Sequence, residues 1–326
     1  MTIPSNFLIQ GQIVAGAASN ILTTATGMLD LTKGTVSGEA PGDVLVRGST
    51  NWGRGAGPIV DQFRLTLATG VPIATTDQTA KTTLYCTPYV GNRMSLYDGS
   101  NWVTYTSAEF SLALGTLTSG KPYDVFCYAS GSTPTLEFLV WTNDTTRATA
   151  LTRQDGVLVK SGTATRRYLG TFYTTSTTTT EDSEANRYVY NFYNQVIRRC
   201  AKTDSTYHTY ASSTIRQWAG STAHQVNMML GDAASVAINL LVELDTNSTN
   251  DYPNASVGLD STTTFIESLY DALIYSGTTR SDDTTSLGLN SSMISAGKHS
   301  ISVNERSIFA GTIAFTKYAL TVGVSG

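Results

Sequence analysis

Residues 95–103 read SLYDGSNWV, and this stretch sets the fold class. Asp98-Gly99 supplies the φ > 0 positions that a tight hairpin demands, between two runs of strand formers, Ser95-Leu96-Tyr97 and Trp102-Val103. The spacing predicts two antiparallel strands joined through residues 98–101. Gln154-Asp155-Gly156 repeats the turn chemistry ahead of Val157-Leu158-Val159 and predicts a second hairpin.

Outward from the first hairpin, runs rich in Val, Leu, Tyr, Phe and Thr recur at 82–90, 94–97, 102–105, 123–129, 135–141, 156–159 and 168–173, each ended by turn formers. Such spacing suggests a sandwich or barrel. Further on, Tyr188, Tyr190, Phe192 and Asn194 alternate with Val189, Asn191 and Tyr193. Val236, Ile238, Leu240, Val242 and Leu244 hold a strict period of two. Residues 301–303, 308–315 and 318–324 also read as strands, with Gly311 and Gly323 as bends or bulges. Residues 265–275 fit a strand and a helical face equally. The fold class is therefore all-β: an extended N-terminal arm, residues 1–60, followed by two β-sandwich or jelly-roll-like domains, 61–185 and 186–326.

The arm is rich in Gly, Ala and Ser and nearly free of aromatics, so it cannot enclose a core of its own. It is expected to lie along a partner or along copies of itself. Residues 43–47 predict one short strand in it, and Gly53 to Pro58 read as a turn-rich linker. The Thr/Ser run at 174–180, TTSTTTT, reads as an exposed strand or loop marking a domain edge.

Composition removes several function classes. Thr and Ser make up about a quarter of the 326 residues, charged residues only 14%, and the formal net charge is −4. No net positive potential is present to attract a polyanion, which argues against nucleic acid as a partner. The longest apolar run, residues 233–244, carries Ser235, Asn239 and Glu243, and is not expected to insert into a membrane. The N-terminus has no Lys or Arg before its apolar stretch and does not read as a signal peptide. Cys86, Cys127 and Cys200 are odd in number and widely spaced, so they read as reduced, buried small hydrophobes.

Chemistry-bearing patterns are sparse. His208, His224 and His299 are far apart in sequence, and no paired-Cys or His-x-x-x-His spacing anchors a metal. No Gly-x-Ser-x-Gly elbow and no phosphate-cradling glycine loop before a helix occurs. The carboxylate pairs that could serve a glycosidase, among Glu181, Asp182 and Glu184, then Asp245/Asp251, Glu267/Asp271 and Asp282/Asp283, read mostly as solvated loop charge. No catalytic residue, cofactor or metal is expected. The 17 Tyr and 4 Trp suit contact with sugars or proteins, since each offers a rigid apolar face with a polar rim. Those in polar, turn-like surroundings stand out: Tyr207 and Trp218 in TDSTYHTYASSTIRQWAGST, and Tyr252 in TNSTNDYPNAS, are the candidate surface contacts.

Around the hairpin, TTLYCTPYVGNRMSLYDGSNW (82–102), TSGKPYDVF (118–126), WTNDTTRATALTRQDGVLVKSG (141–162), RRYLGTFYTTS (166–176) and EDSEANRYVYNFYNQV (181–196) resemble a module recurrent in bacteriophage structural proteins. GDVLVRGSTNWGR (42–54) is similar to a short element that precedes globular domains in phage tail fibres, and GLDST (258–262) with the C-terminal strands resembles the β-sandwich that follows. The resemblance implies a virion protein of tail-fibre or adhesin type. Its arm would dock on other virion proteins or trimerise, and its C-terminal domain would meet a glycan or protein of the host surface. The alternative is a head fibre, capsid decoration or neck protein without receptor binding; a glycan depolymerase is a third reading.

Overall fold

Asp98 shapes the turn at residues 98–101: its Oδ1 accepts the backbone N–H groups of Ser100 (2.8 Å) and Asn101 (2.7 Å), and Gly99 takes φ +107°. Tyr97 then pairs antiparallel with Trp102. The second hairpin closes with Asp155 at φ +51° and Gly156 at φ +86° between the paired Gln154 and Val157. The computed structural model describes residues 59–244, 251, 253–266 and 293–326 in full, and the backbone alone of 44–47, 52–55, 245 and 283–290.

The chain divides into two units, Met1–Ile59 and Val60–Gly326. In the first, β1 (Val44–Arg47) pairs antiparallel with β2 (Trp52–Gly55). The sequence predicts β1. The second strand corrects the linker reading of Gly53 to Gly55, because ladder hydrogen bonds come from the backbone, which glycine has in full. The remainder of the expected arm lies outside the described residues.

Apart from one short 3-10 turn, Trp218–Gly220, the regular structure described in the second unit is all β. Its first half holds β3 (Phe63–Thr66), β4 (Gln78–Lys81), β5 (Thr83–Pro88), β6 (Arg93–Tyr97), β7 (Trp102–Thr106), β8 (Phe110–Ala113), β9 (Pro122–Ser130), β10 (Thr133–Val140), β11 (Leu151–Gln154), β12 (Val157–Lys160) and β13 (Thr163–Tyr173). Three short strands follow: β14 (Thr180–Asp182), β15 (Asn186–Arg187) and β16 (Val189–Asn191). The second half holds β17 (Ile197–Asp204), β18 (His208–Tyr210), β19 (Arg216–Gln217), β20 (Gln225–Leu230), β21 (Ala237–Asp245), β22 (Pro253–Leu259), β23 (Asp283–Asn290), β24 (Gly297–Ser307) and β25 (Ile313–Ser325).

In the first half, the sheet β10-β9-β13-β12-β11 packs with the β3-β5-β8 sheet and β6 around Phe63, Leu65, Leu84, Met94, Val125 and Phe172. Strand β9 lies between β10 and β13 and is buried from Pro122 to Cys127, as its nearly unbroken apolar run requires. In the second half, two sheets face each other. Ile238, Leu240, Val242, Leu320 and Val322 of the β17-β25-β21-β23 sheet meet Val226, Met228, Val257, Ile301 and Val303 of the sheet built on β20, β24 and β22. The period of two at 236–244 is thus a buried stripe, each residue contributing about 1.5–3 kcal/mol on full burial.

The boundary expected at residue 186 falls inside a shared sheet, where β4 and β14 of the first half continue through β15 to β20 and β24 of the second. That junction also splits the alternating run at Tyr188 to Asn194. Strand β15 joins β20 while β16 joins β13, so the chain changes sheets at Tyr188. Gly170 makes room there: a Cβ on it would collide with the Tyr190 carbonyl. The Thr run closes as a loop with Thr174 bridging Thr180, its two ends buried and Thr175, Thr177 and Thr178 exposed.

The three cysteines are buried free thiols, two on β5 and β9 and one on β17, with burial pushing Cys127 and Cys200 up to about 12. Asp61, at the start of the unit, is enclosed as well. Burial pushes its carboxyl up to about 6 against the pull of Arg167, whose Nη2 lies 3.7 Å away, and of the Phe63 N–H. A folded pKa above the unfolded value of about 3.9 means the folded state holds the extra proton, so this group's contribution is greatest below about pH 4 and is lost as pH rises through about 6. We expect Asp61→Asn to lack that slope. Relative to wild type, its unfolding free energy should rise by up to about 3 kcal/mol between about pH 4 and 7 in urea titrations. Parallel curves would refute the assignment.

Candidate contact surface

Register fixes the two ends of the C-terminal sandwich. Strand β25 starts at Ile313, and its neighbours run against it, placing Asp245 opposite Ala314, Asp204 opposite Tyr318 and Tyr210 opposite Ile313. Strand β24 finishes at the same end, where Ser307 faces Pro253. The connections 205–207, 211–215 and 308–312 therefore gather at one end. The hydrogen bonds to the first half cluster at the other: Arg64 Nη2 to Gly326 O (2.8 Å), Arg198 Nη2 to Ala74 O (3.1 Å) and Lys298 N to Asp144 O (2.9 Å). The gathered turns form the distal end.

Two large side chains stand out from this end, Tyr207 at 55% and Phe309 at 66% exposed. Each rests on a fixed base. Asp251 is buried, and its carboxylate accepts the Phe309 N–H (2.8 Å), the Gly311 N–H and the Ser307 hydroxyl, so the chain turns at 308–312. This corrects the strand reading of residues 308–312 and Gly311 as an in-strand bend; the strand begins at Ile313. Beneath Tyr207, His208 Nε2 donates to Glu305 Oε2 (2.7 Å), since a carboxylate can only accept, and Arg216 Nε donates to Oε1 (2.8 Å). The Arg216 guanidinium also lies 3.6 Å from the Tyr210 ring centroid, and Ser307 N bonds Ser212 O (2.9 Å).

Of the three residues singled out by sequence, Tyr207 is exposed at this end and Tyr252 lies outside the described residues. Trp218 is a correction. It is 0% exposed, with its ring edge-on to Phe315 (5.5 Å), Tyr318 (5.0 Å) and His208 (5.1 Å), and cannot touch a partner in the folded chain. Its polar sequence neighbours mislead because it closes the core where the turns cross, its Nε1–H satisfied by Asp204 Oδ2 (3.0 Å). Burial would raise the Asp204 carboxyl, but the bonds from Trp218 and Thr206 hold it below its ordinary value. His224, hydrogen-bonded to Tyr318 (2.9 Å), is lowered by burial.

Behind the 205–207 turn, a groove of about 410 Å³ crosses the outer face of the sheet, lined by Thr203, Ser205, Leu241, Glu243 and Lys317. Lys317 Nζ pairs with Glu243. Asp204 and Tyr318 also line it, so the groove combines hydroxyls, an ion pair, a further carboxyl and an apolar side chain. Among the described residues no group of three or more His, Cys, Asp or Glu gathers to hold a metal, and no helix is long and apolar enough to cross a membrane. Of the carboxylates paired in the sequence, Asp182 is buried between Arg187 and Arg198, Asp251 is the turn clamp, and Glu267, Asp271 and Asp282 lie outside the described residues. Sequence reading passed over Phe309, which sits in an apolar run that looks like strand, and Glu305, which looks like surface charge.

No family model and no curated protein matches the chain. Among solved structures, the insecticidal delta-endotoxin Cry8Ea1 from Bacillus thuringiensis is 9% identical at a TM-score of 0.22, with 81% of this chain and 52% of the toxin covered. Infectious bursal disease virus Gx strain gives 10% identity and a TM-score of 0.28, over 83% of this chain and 75% of that one. The mosquito-larvicidal Cry4Aa toxin from Bacillus thuringiensis gives 10% and 0.20, over 76% and 51%. The chain spans about half the length of either toxin. Scores this low leave the architecture to rest on its own strands and registers.

Proposed function

We propose that the chain is a bacteriophage virion structural protein of tail-fibre or adhesin type, a homotrimer anchored on the particle through residues 1–60 and meeting the host surface with its distal end. The observation that carries this reading is the placement of Tyr207 and Phe309. Both are exposed on the end of the second half that faces away from the first half, and it is the first half that the chain joins at Val60. Rigidly based aromatics on an end that, among the described residues, makes no hydrogen bond to the first half suit attachment, since aromatic anchors dominate contact energies. The resemblance of residues 82–196 to a phage structural module supports the virion assignment.

Purified full-length protein added to host cells is expected to bind them and to compete with infection. Tyr207→Ala with Phe309→Ala should weaken binding at least about tenfold, the effect of losing one contact anchor, while the melting curve stays within the small range of surface substitutions. Failure of the wild-type protein to bind, or equal binding by the double variant, would remove the distal end from attachment.

A further inference from the structure

Both ring nitrogens of His208, at the start of β18, face oxygens that can only accept. Nε2 lies 2.7 Å from Glu305 Oε2, and Nδ1 lies 3.3 Å from the Thr206 carbonyl. Arg216 holds the other oxygen of the same carboxylate, from Nε (2.8 Å) and Nη2 (2.7 Å). Two such bonds from one ring need two N–H groups, and an imidazole carries both only when it is protonated. The Phe315 ring, stacked on His208 at 5.3 Å, suits that charge, and Trp218 closes over it edge-on at 5.1 Å. Loss of one proton leaves a single N–H for two acceptors. The bond to the carboxylate is the stronger and keeps it, so the Nδ1 lone pair then faces the Thr206 carbonyl and that tie is lost.

We propose that His208 is a proton-operated latch on the 205–207 turn: the protonated ring fixes Tyr207 in its exposed position, and loss of a proton to solvent releases the turn. The inference deepens the attachment reading above, and its cell-binding consequence rests on that reading. Thr206 is the middle of the turn. Its carbonyl is tied to His208 and its hydroxyl to Asp204 Oδ1 (3.0 Å), and Tyr207 lies between Thr206 and the latch. The His208 side chain is 15% exposed, which gives the proton a path to water. The charged and titratable groups around the ring are Glu305 on β24, Arg216 on β19, Asp204 and Lys202 on β17, and His224, which is hydrogen-bonded to Tyr318 of β25. Burial lowers His224, so it takes its proton only in more acid solution than a free ring does.

Nitrogen-15 NMR of the histidine rings in the full-length protein, with His208 assigned by its loss in His208→Gln, tests the latch without a host. At the acid end of the histidine range, about pH 5, both His208 nitrogens are expected to carry protons. As that signal titrates toward about pH 8, the backbone order parameters of residues 205–207 should fall with the same midpoint. Asp61, pushed up to about 6, titrates in the same range but lies in the first half, so Asp61→Asn should keep the response. A ring that carries one proton throughout this range, or one that titrates while residues 205–207 stay equally ordered, overturns the proposal; both are read on wild type, whether or not His208→Gln folds. Host-cell binding by wild type should weaken about fivefold from the acid to the alkaline end, the factor that one net hydrogen bond supplies, and should be flat in His208→Gln. Binding unchanged by pH while the turn loosens overturns the link to attachment. No binding at any pH by protein whose turn responds as expected removes the attachment reading and leaves the latch standing.

Discussion

Trp218→Ala is expected to cost about 4 kcal/mol of unfolding free energy, in the range of large-to-small core truncations. The ring is fully buried among Phe315, Tyr318 and His208, so its removal leaves a cavity whose walls are themselves large and pinned. The loss also removes the indole N–H that Asp204 accepts, leaving that partly exposed carboxylate with Thr206 and solvent. Because residues 204–208 connect β17 to β18 over this ring, the substitution should lower host binding together with stability, whereas Tyr207→Ala should lower binding alone. Urea titration followed by cell binding separates the two. A stability loss below about 1 kcal/mol would mean that the ring is not part of the core, the level at which surface truncations fall.

Glu305→Ala is expected to be nearly as damaging, about 3 kcal/mol, the cost of breaking a buried ion pair from one side. Glu305 is fully buried and serves two partners on separate strands, His208 on β18 and Arg216 on β19, so it joins the loops of the distal end to β24. The loss arises mainly from leaving Arg216 without its acceptor. Removing that charge too, as in Glu305→Leu with Arg216→Leu, should recover a large part of the stability, since apolar replacement of a whole buried pair is often neutral. A double variant as unstable as the sum of the singles would show that the pair acts through geometry rather than charge balance.

The sequence announces local structure well where one or two residues decide it. Asp-Gly at 98–99 and 155–156 forces two hairpins, and the five-residue stripe at 236–244 forces a strand with one buried face. What it hides is long-range. Nothing near Asn186 signals that β15 leaves the first half to lie parallel to β20, because two-residue strands carry no period. Trp218 looks exposed by its neighbours and is the largest fully buried side chain among the described residues, since burial is decided by crossing turns distant in sequence. Glu305, on β24, is an ordinary surface charge until Arg216 is brought opposite it. Phe309 would continue a strand if Asp251 did not capture the N–H groups after it. Exposure is therefore legible at Tyr207, misread at Trp218 and missed at Phe309.

Immuno-gold electron microscopy of intact particles, with antibody raised against residues 186–326, tests the central claim most directly. Label at the tail or its hub, pointing away from the particle, is the predicted result and fits a protein held at its N-terminal side with its distal end outward. Label spread over the head would contradict the attachment reading and leave a head fibre or decoration protein.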